Sequence, residues 1–238
     1  MKEDGDLSVG IDGRDVPVRL RRSRQARSMS IRLDPQDGVV LLVLPDFVSI
    51  AQGMVFVCSK ADWLRQRMEA LPPSRPFHPG GSIPYLGSEH RLVHRPDARR
   101  GVWREDGAIF VSGGEAYFQR RLTDWLKAGA LAEITRRAQP MAQCLQSELG
   151  GRALGRVTLR DTRSRWGSCS SRGDLSFSWR LILTPPDVLN YVVAHEAAHL
   201  VEMNHSPAFW RIVEKLAPGA RLFRVWLKRH GAELHRIG

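Results

Sequence analysis

Long apolar runs, paired cysteines and internal repetition are all missing from this chain, and each absence closes off a class of protein. No apolar run, not even Val39 to Leu44, approaches the ~18–20 residues that a membrane-spanning helix needs. The three cysteines, Cys58, Cys144 and Cys169, are scattered and odd in number, so no disulfide framework is implied. No C-x2-C pair occurs, which argues against a structural zinc site with four protein ligands. The start, Met1-Lys2-Glu3-Asp4-Gly5-Asp6, is too polar for a secretory signal, and the expected location is the cytoplasm. No repeat or low-complexity tract is visible. Acidic residues are also in short supply: 25 Asp and Glu face 36 Lys and Arg, a formal net charge of +11. That balance favours an anionic partner or substrate, whether nucleotide, nucleic acid or acidic peptide. An arginine-rich composition with no dedicated partner is the plainer alternative.

What is present suffices for a folded enzyme. A length of 238 residues with 42% hydrophobic content suits one or two soluble domains. Ser8–Ile11 and Val16–Arg21 flank Asp12-Gly13, a strong hairpin turn, and Met29, Ile31 and Leu33 alternate like a strand. Val39–Leu44 reads as a central strand. Arg14, Arg19, Arg21, Arg22, Arg24, Arg27 and Arg32 make this part basic, as a solvated outer face or as an anion-binding one. A helical pattern covers about 49–71, with Ser59 as a cap inside it. Four prolines and Gly80-Gly81 then break the pattern, and short strands follow to Val111. Gly113-Gly114 reads as the domain boundary, with residues 1–113 β-rich and 114–238 a second domain. A long amphipathic helix runs from Glu115 to Ala138, and Pro140 kinks or restarts it. Strands at 157–160, 166–170 and 175–179 and three further helices complete an α+β pattern.

The chemistry concentrates in His195-Glu196-Ala197-Ala198-His199 and, six residues on, His205. Histidines four apart share one helix face and can offer two imidazole nitrogens to a Zn2+ or other divalent ion. Glu196 then stands where a general base is needed. The spacing to His205 equals that of H-E-x-x-H-x-x-G-x-x-H, with Glu202 in place of the glycine. Asn204 tolerates the left-handed conformation and offers a turn that returns His205 to the metal. Glu202 or a second water is the substitute ligand if His205 is only a linker residue. Thr184-Pro185-Pro186-Asp187 reads as N-cap and first turn of a buried helix of about five turns, and Ser206-Pro207 as a second helix start.

Trp166-Gly167-Ser168-Cys169-Ser170-Ser171, Leu175–Leu181, the H-E-x-x-H segment, Asn204-His205-Ser206 and Phe209-Trp210 together resemble the YgjP-like metallopeptidase domain family. Ile83-Pro84-Tyr85-Leu86-Gly87 and Trp63 also look like family positions. The resemblance implies a metal-dependent hydrolase related to SprT-like zincins. It implies a zincin-like C-terminal domain in which a strand lies beside the metal helix. It implies ligation by His195, His199 and His205 with Glu196 as base. Some members are described as UTP pyrophosphatases, so a nucleotide substrate stands beside the peptide. For such a substrate Arg163, Arg165, Ser168, Ser170 and Arg180 are the candidate binding residues, since arginine forks pair with phosphate oxygens. A basic nucleic-acid-associated module with a vestigial metal site is a third reading, opposed by the intact Glu196. Cys169 is expected to pack or to lie near the metal, since the site supplies its own nucleophile.

Overall fold

The computed structural model describes residues 7–34, 37–149, 153–162 and 165–238. It is an α+β chain in two compact units, residues 1–74 and 75–238, so the division falls after Ser74 and not at Gly113-Gly114. The reason lies in the core. Ile83, Leu92, Ile109 and Val111, all N-terminal to the glycine pair, are buried in one cluster with the residues of the metal helix. Among the described residues no helix is long and apolar enough to cross a membrane.

The first unit is one four-stranded sheet with two helices. β1 (Leu7–Ile11) and β2 (Arg14–Arg22) form a hairpin over Asp12-Gly13, both at positive φ (50° and 74°), as a two-residue turn of this kind demands. β3 (Ser30–Leu33) and β4 (Val40–Leu44) complete the order β1-β2-β4-β3, with β2 and β4 parallel. β4 is internal, and Val40, Leu42 and Leu44 are fully buried on one face. The helical stretch divides into α1 (Ile50–Cys58) and α2 (Ala61–Glu69). Ser49 and Gln52 form a capping box at the start of α1. Ser59 ends α1, donating its hydroxyl to the Phe56 carbonyl at 2.8 Å; it does not start α2. Gly53 lets α1 approach the sheet, because a Cβ there would meet the Leu44 methyls at 2.9 Å.

The second unit starts with the same design. β5 (Ser82–Tyr85), β6 (Ser88–Arg95), β7 (Val102–Glu105) and β8 (Ala108–Ser112) take the order β5-β6-β8-β7, again with the inner pair parallel and both outer pairs antiparallel. The absence of repetition in the sequence is therefore corrected at the level of topology: the four-stranded unit occurs twice. After a short 3-10 turn at Glu115–Tyr117, α3 (Phe118–Cys144) runs unbroken past Pro140. Its Phe118, Leu122, Leu126, Ala130, Ile134 and Ala138 recur every four residues and are buried. A three-stranded sheet follows, with β9 (Val157–Arg160), β10 (Gly167–Cys169) and β11 (Leu175–Ser178) in the order β10-β11-β9.

A 3-10 helix, Trp179–Leu183, leads into α4 (Pro186–Ala198), a shorter helix than the five turns its sequence suggests. Thr184 is not the N-cap of α4. Its hydroxyl donates back to the Leu181 carbonyl at 2.8 Å, and Pro185 takes the cap position without a side-chain bond. α4 is apolar almost all round, with Val188, Leu189, Val192, Val193, Ala194, Ala197 and Ala198 buried, so packing rather than capping holds it. α5 (Pro207–Leu216) and α6 (Ala220–His235) end the chain.

Candidate metal centre

His195 lies in the last turn of α4 and His199 is its C-cap residue, so one helix end presents both rings. The chain then turns back. Asn204 does not take the left-handed conformation; its Oδ1 accepts from the Ser206 amide at 2.9 Å, and this side-chain turn brings the chain round. Ser206 caps α5 by accepting from the Phe209 amide at 3.2 Å. His205 is thereby carried to the helix end, with its Nε2 3.1 Å from Nε2 of His195. One ring nitrogen from each of the three histidines lies within 4.8 Å of the other two. Phe209 forms a common floor, its ring centroid 4.5–4.9 Å from all three imidazoles.

The donor set fits a divalent ion. His199 Nδ1 lies 3.0 Å from the Glu202 carbonyl, which calls for a proton on Nδ1 and leaves the Nε2 lone pair free. Burial, with the neighbouring histidines and Arg224 adding to it, pulls the pKa of His195 down to about 4, and burial likewise lowers that of His199. Both rings are therefore neutral near pH 7, the form that ligates. The Nε2 atoms of His195 and His205, 3.1 Å apart, must share one proton or face one cation. Three imidazole donors grouped in this way suit a divalent metal ion. His195 Nδ1 is buried and has no hydrogen-bond partner among the described residues.

Glu196, the next residue of α4, packs against β10. It is 5% exposed, and burial raises its pKa to about 7, with Arg165 pulling in the opposite direction. The tryptophan-glycine signature explains itself here. A Cβ on Gly167 would sit 2.5 Å from Glu196 Cγ and 2.6 Å from its Oε1, so only glycine lets β10 pass this close to the carboxylate. Trp166 beside it stacks on His235 of α6, with ring centroids 4.7 Å apart, and anchors the start of the strand. β10 is an edge strand among the described residues.

The other sequence candidates fare unequally. Arg165 is exposed and close enough to act on Glu196. Arg163 lies outside the described residues. Arg180 is 1% exposed and is consumed by an ion pair with Asp161, a bond to the Gly238 carbonyl at 3.3 Å and the face of Trp179. It is a buried anchor of the C-terminus, not a phosphate ligand. Ser170 shapes the β10–β11 turn, accepting from the amides of Arg172 and Asp174. Strand alternation points Ser168 away from the face on which Gly167 meets Glu196. Cys169 packs against the core, as expected. Sequence reasoning missed Tyr191 and Arg224. Tyr191 sits one turn before His195, buried, and burial raises its pKa, with Arg224 opposing. Its i−4 spacing from His195 was the available signal.

An α+β chain presenting H-E-x-x-H at a helix end with a third histidine delivered by the next turn has the site of a metal-dependent hydrolase. The family model of the YgjP-like metallopeptidase domain matches residues 27–230, and the chain belongs to that family. No protein of the curated set matches significantly. A solved structure, the metallopeptidase zymogen abylysin of Pyrococcus abyssi, is 23% identical, covering 39% of this chain and 93% of its own. Its TM-score of 0.33 is too low to carry an argument.

Proposed function

We propose that this protein is a zinc-dependent peptidase in which His195, His199 and His205 hold the ion and Glu196 is the general base. The observation that carries the reading is the pairing of three converging imidazole nitrogens with a buried carboxylate one residue along the same helix. A bound divalent ion supplies Lewis acidity, which makes a water nucleophilic near pH 7 and polarises a carbonyl. The protein's own part is proton handling and placement. Glu196, with its pKa near 7, takes the proton of the attacking water on its carboxylate and can return it to the leaving amine. Gly167 keeps room for that carboxylate, and the open edge of β10 offers backbone groups with which an extended peptide can pair beside it. The test is Glu196→Gln in metal-loaded protein. Metal content and fold should stay, while peptide turnover falls at least ~10²-fold, since an amide cannot accept the proton. In parallel, His195→Ala and His199→Ala should lose the metal, and His205→Ala should weaken its binding less completely. Undiminished occupancy in the first two would remove the site from this helix.

One observation favours a second reading, hydrolysis of a nucleoside triphosphate. Residues 75–238 hold 25 of the 36 Lys and Arg but 15 of the 25 Asp and Glu, so most of the positive surplus belongs to the unit with the metal site. Against it stands the withdrawal of Arg180 and Ser170 from the cradle. Triphosphate cleavage that survives Glu196→Gln would exclude this site as its source.

A further inference from the structure

We infer that Arg224 is the anchor for a carboxylate on the substrate, and that the enzyme selects peptides with an acidic side chain next to the bond it cuts. The inference rests on the peptidase reading and adds its specificity. Arg224 projects from α6, exposed, with its guanidinium 5.3 Å from the centre of the Trp210 ring. That ring in turn lies 5.9 Å from both His195 and His205. The cation therefore stands one aromatic ring away from His195 and His205.

Most arginines near a protein surface can find a carboxylate, and several in this unit do: Arg75 with Glu89, Arg136 and Arg137 with Glu133, Arg180 with Asp161. Arg224 makes no ion pair among the described residues. Its neighbours on the same helix, Arg221 and Lys228 at i−3 and i+4, are also exposed cations, so no local acid competes for it. The cation–π contact with Trp210 restrains the guanidinium and lowers the ordering cost of a two-pronged bond to a carboxylate. Trp210 thus has two contacts with consequences: it borders the metal ligands and it holds the arginine. A side-chain carboxylate matches the single fork that Trp210 holds beside the histidines.

The experiment uses zinc-loaded full-length protein and a pair of dipeptide hydroxamates that differ only in carrying Glu or Gln. The hydroxamate group binds the metal in both, so their affinity ratio reports the side chain alone. The parent should bind the Glu compound about tenfold more tightly. Arg224→Ala should erase that ratio while leaving the Gln compound unchanged, and Arg224→Glu should invert the preference toward a Lys analogue. A merely structural arginine would not yield that inversion. Equal binding of Glu and Gln compounds by the parent, failure of both to bind, or a ratio that persists in Arg224→Ala overturns the assignment. Peptide turnover is measured separately. Discrimination without peptide cleavage would sink the peptidase reading and leave the anion anchor standing.

Discussion

Two four-stranded sheets of identical strand order lie in this chain, and they are used differently. The first, β1 to β4, closes over a small core of its own with Val57 of α1 and Leu64 of α2. The second, β5 to β8, has no private core: Ile83, Leu92, Ile109 and Val111 share one cluster with α3, the 3-10 helix and α4. The hairpin tips show the contrast most sharply. Asp12-Gly13 is ordinary turn chemistry, with nothing within 4 Å of where a Gly13 Cβ would be. Leu86-Gly87 repeats the same backbone, but a leucine at φ 48° is a costly choice, and a Gly87 Cβ would meet Pro185 Cα at 3.0 Å. The Leu86 amide also donates to the Ile182 carbonyl at 2.8 Å. The second hairpin thus braces the start of α4. A bulky residue in a strained conformation marks the place where the same topology has taken on a positioning task.

The largest expected difference comes from emptying each core. Leu42→Ala and Leu92→Ala each remove a fully buried side chain and should each cost ~2–5 kcal/mol. Only Leu92→Ala should also weaken zinc binding, because its cluster contains α4. Zinc titration with hydrogen exchange of both units checks this, and equal loss of zinc affinity in the two variants would break the distinction.

A pH experiment sharpens it next. The groups pushed far from their ordinary pKa, His195 down to about 4 and Glu196 up to about 7, both belong to the second unit. A depressed histidine withholds stability as pH falls from about 6.5 toward 4, since the unfolded chain then binds the extra proton. A raised carboxyl acts the other way: its contribution is intact below about 4.5 and is lost as pH rises through 7. In metal-free protein the two slopes oppose each other between pH 4.5 and 6.5. Glu196→Gln removes one of them, so it should raise the melting temperature at pH 8, by up to ~3 kcal/mol of stability, and make little difference at pH 4.5. A gain of equal size at both values would refute the burial argument.

The smallest effect is the most direct comparison of the hairpins. Gly13→Ala should cost only the ~1–2 kcal/mol of left-handed backbone. Gly87→Ala adds the clash with Pro185 and should cost more, with a measurable drop in metal affinity that Gly13→Ala lacks. Thermal melts and zinc titration of the two alanine variants settle it.

Much of this was legible in the residues. The hairpin turns, the alternating strands, the long period of α3, the grouping of His195, His199 and His205 and the Ser206 cap follow from local rules of spacing and turn chemistry. Those rules depend only on neighbours along the chain. Four matters needed the folded molecule. The unit boundary depended on which buried residues share a core, and Gly113-Gly114 looked like a break only because two glycines loosen any backbone. The repeated sheet was hidden because strand order is a property of hydrogen bonding, and unlike residues can make the same ladder. The burial of Arg180 and the exposure of Arg224 were hidden for a similar reason. Nothing in a sequence distinguishes an arginine that will be buried against a carboxylate from one left exposed; only the contact with Asp161, or with Trp210, does so. Gly167 belongs to both accounts. Its residue type is written in the chain, but its purpose, the space it leaves for Glu196, exists only where β10 and α4 meet.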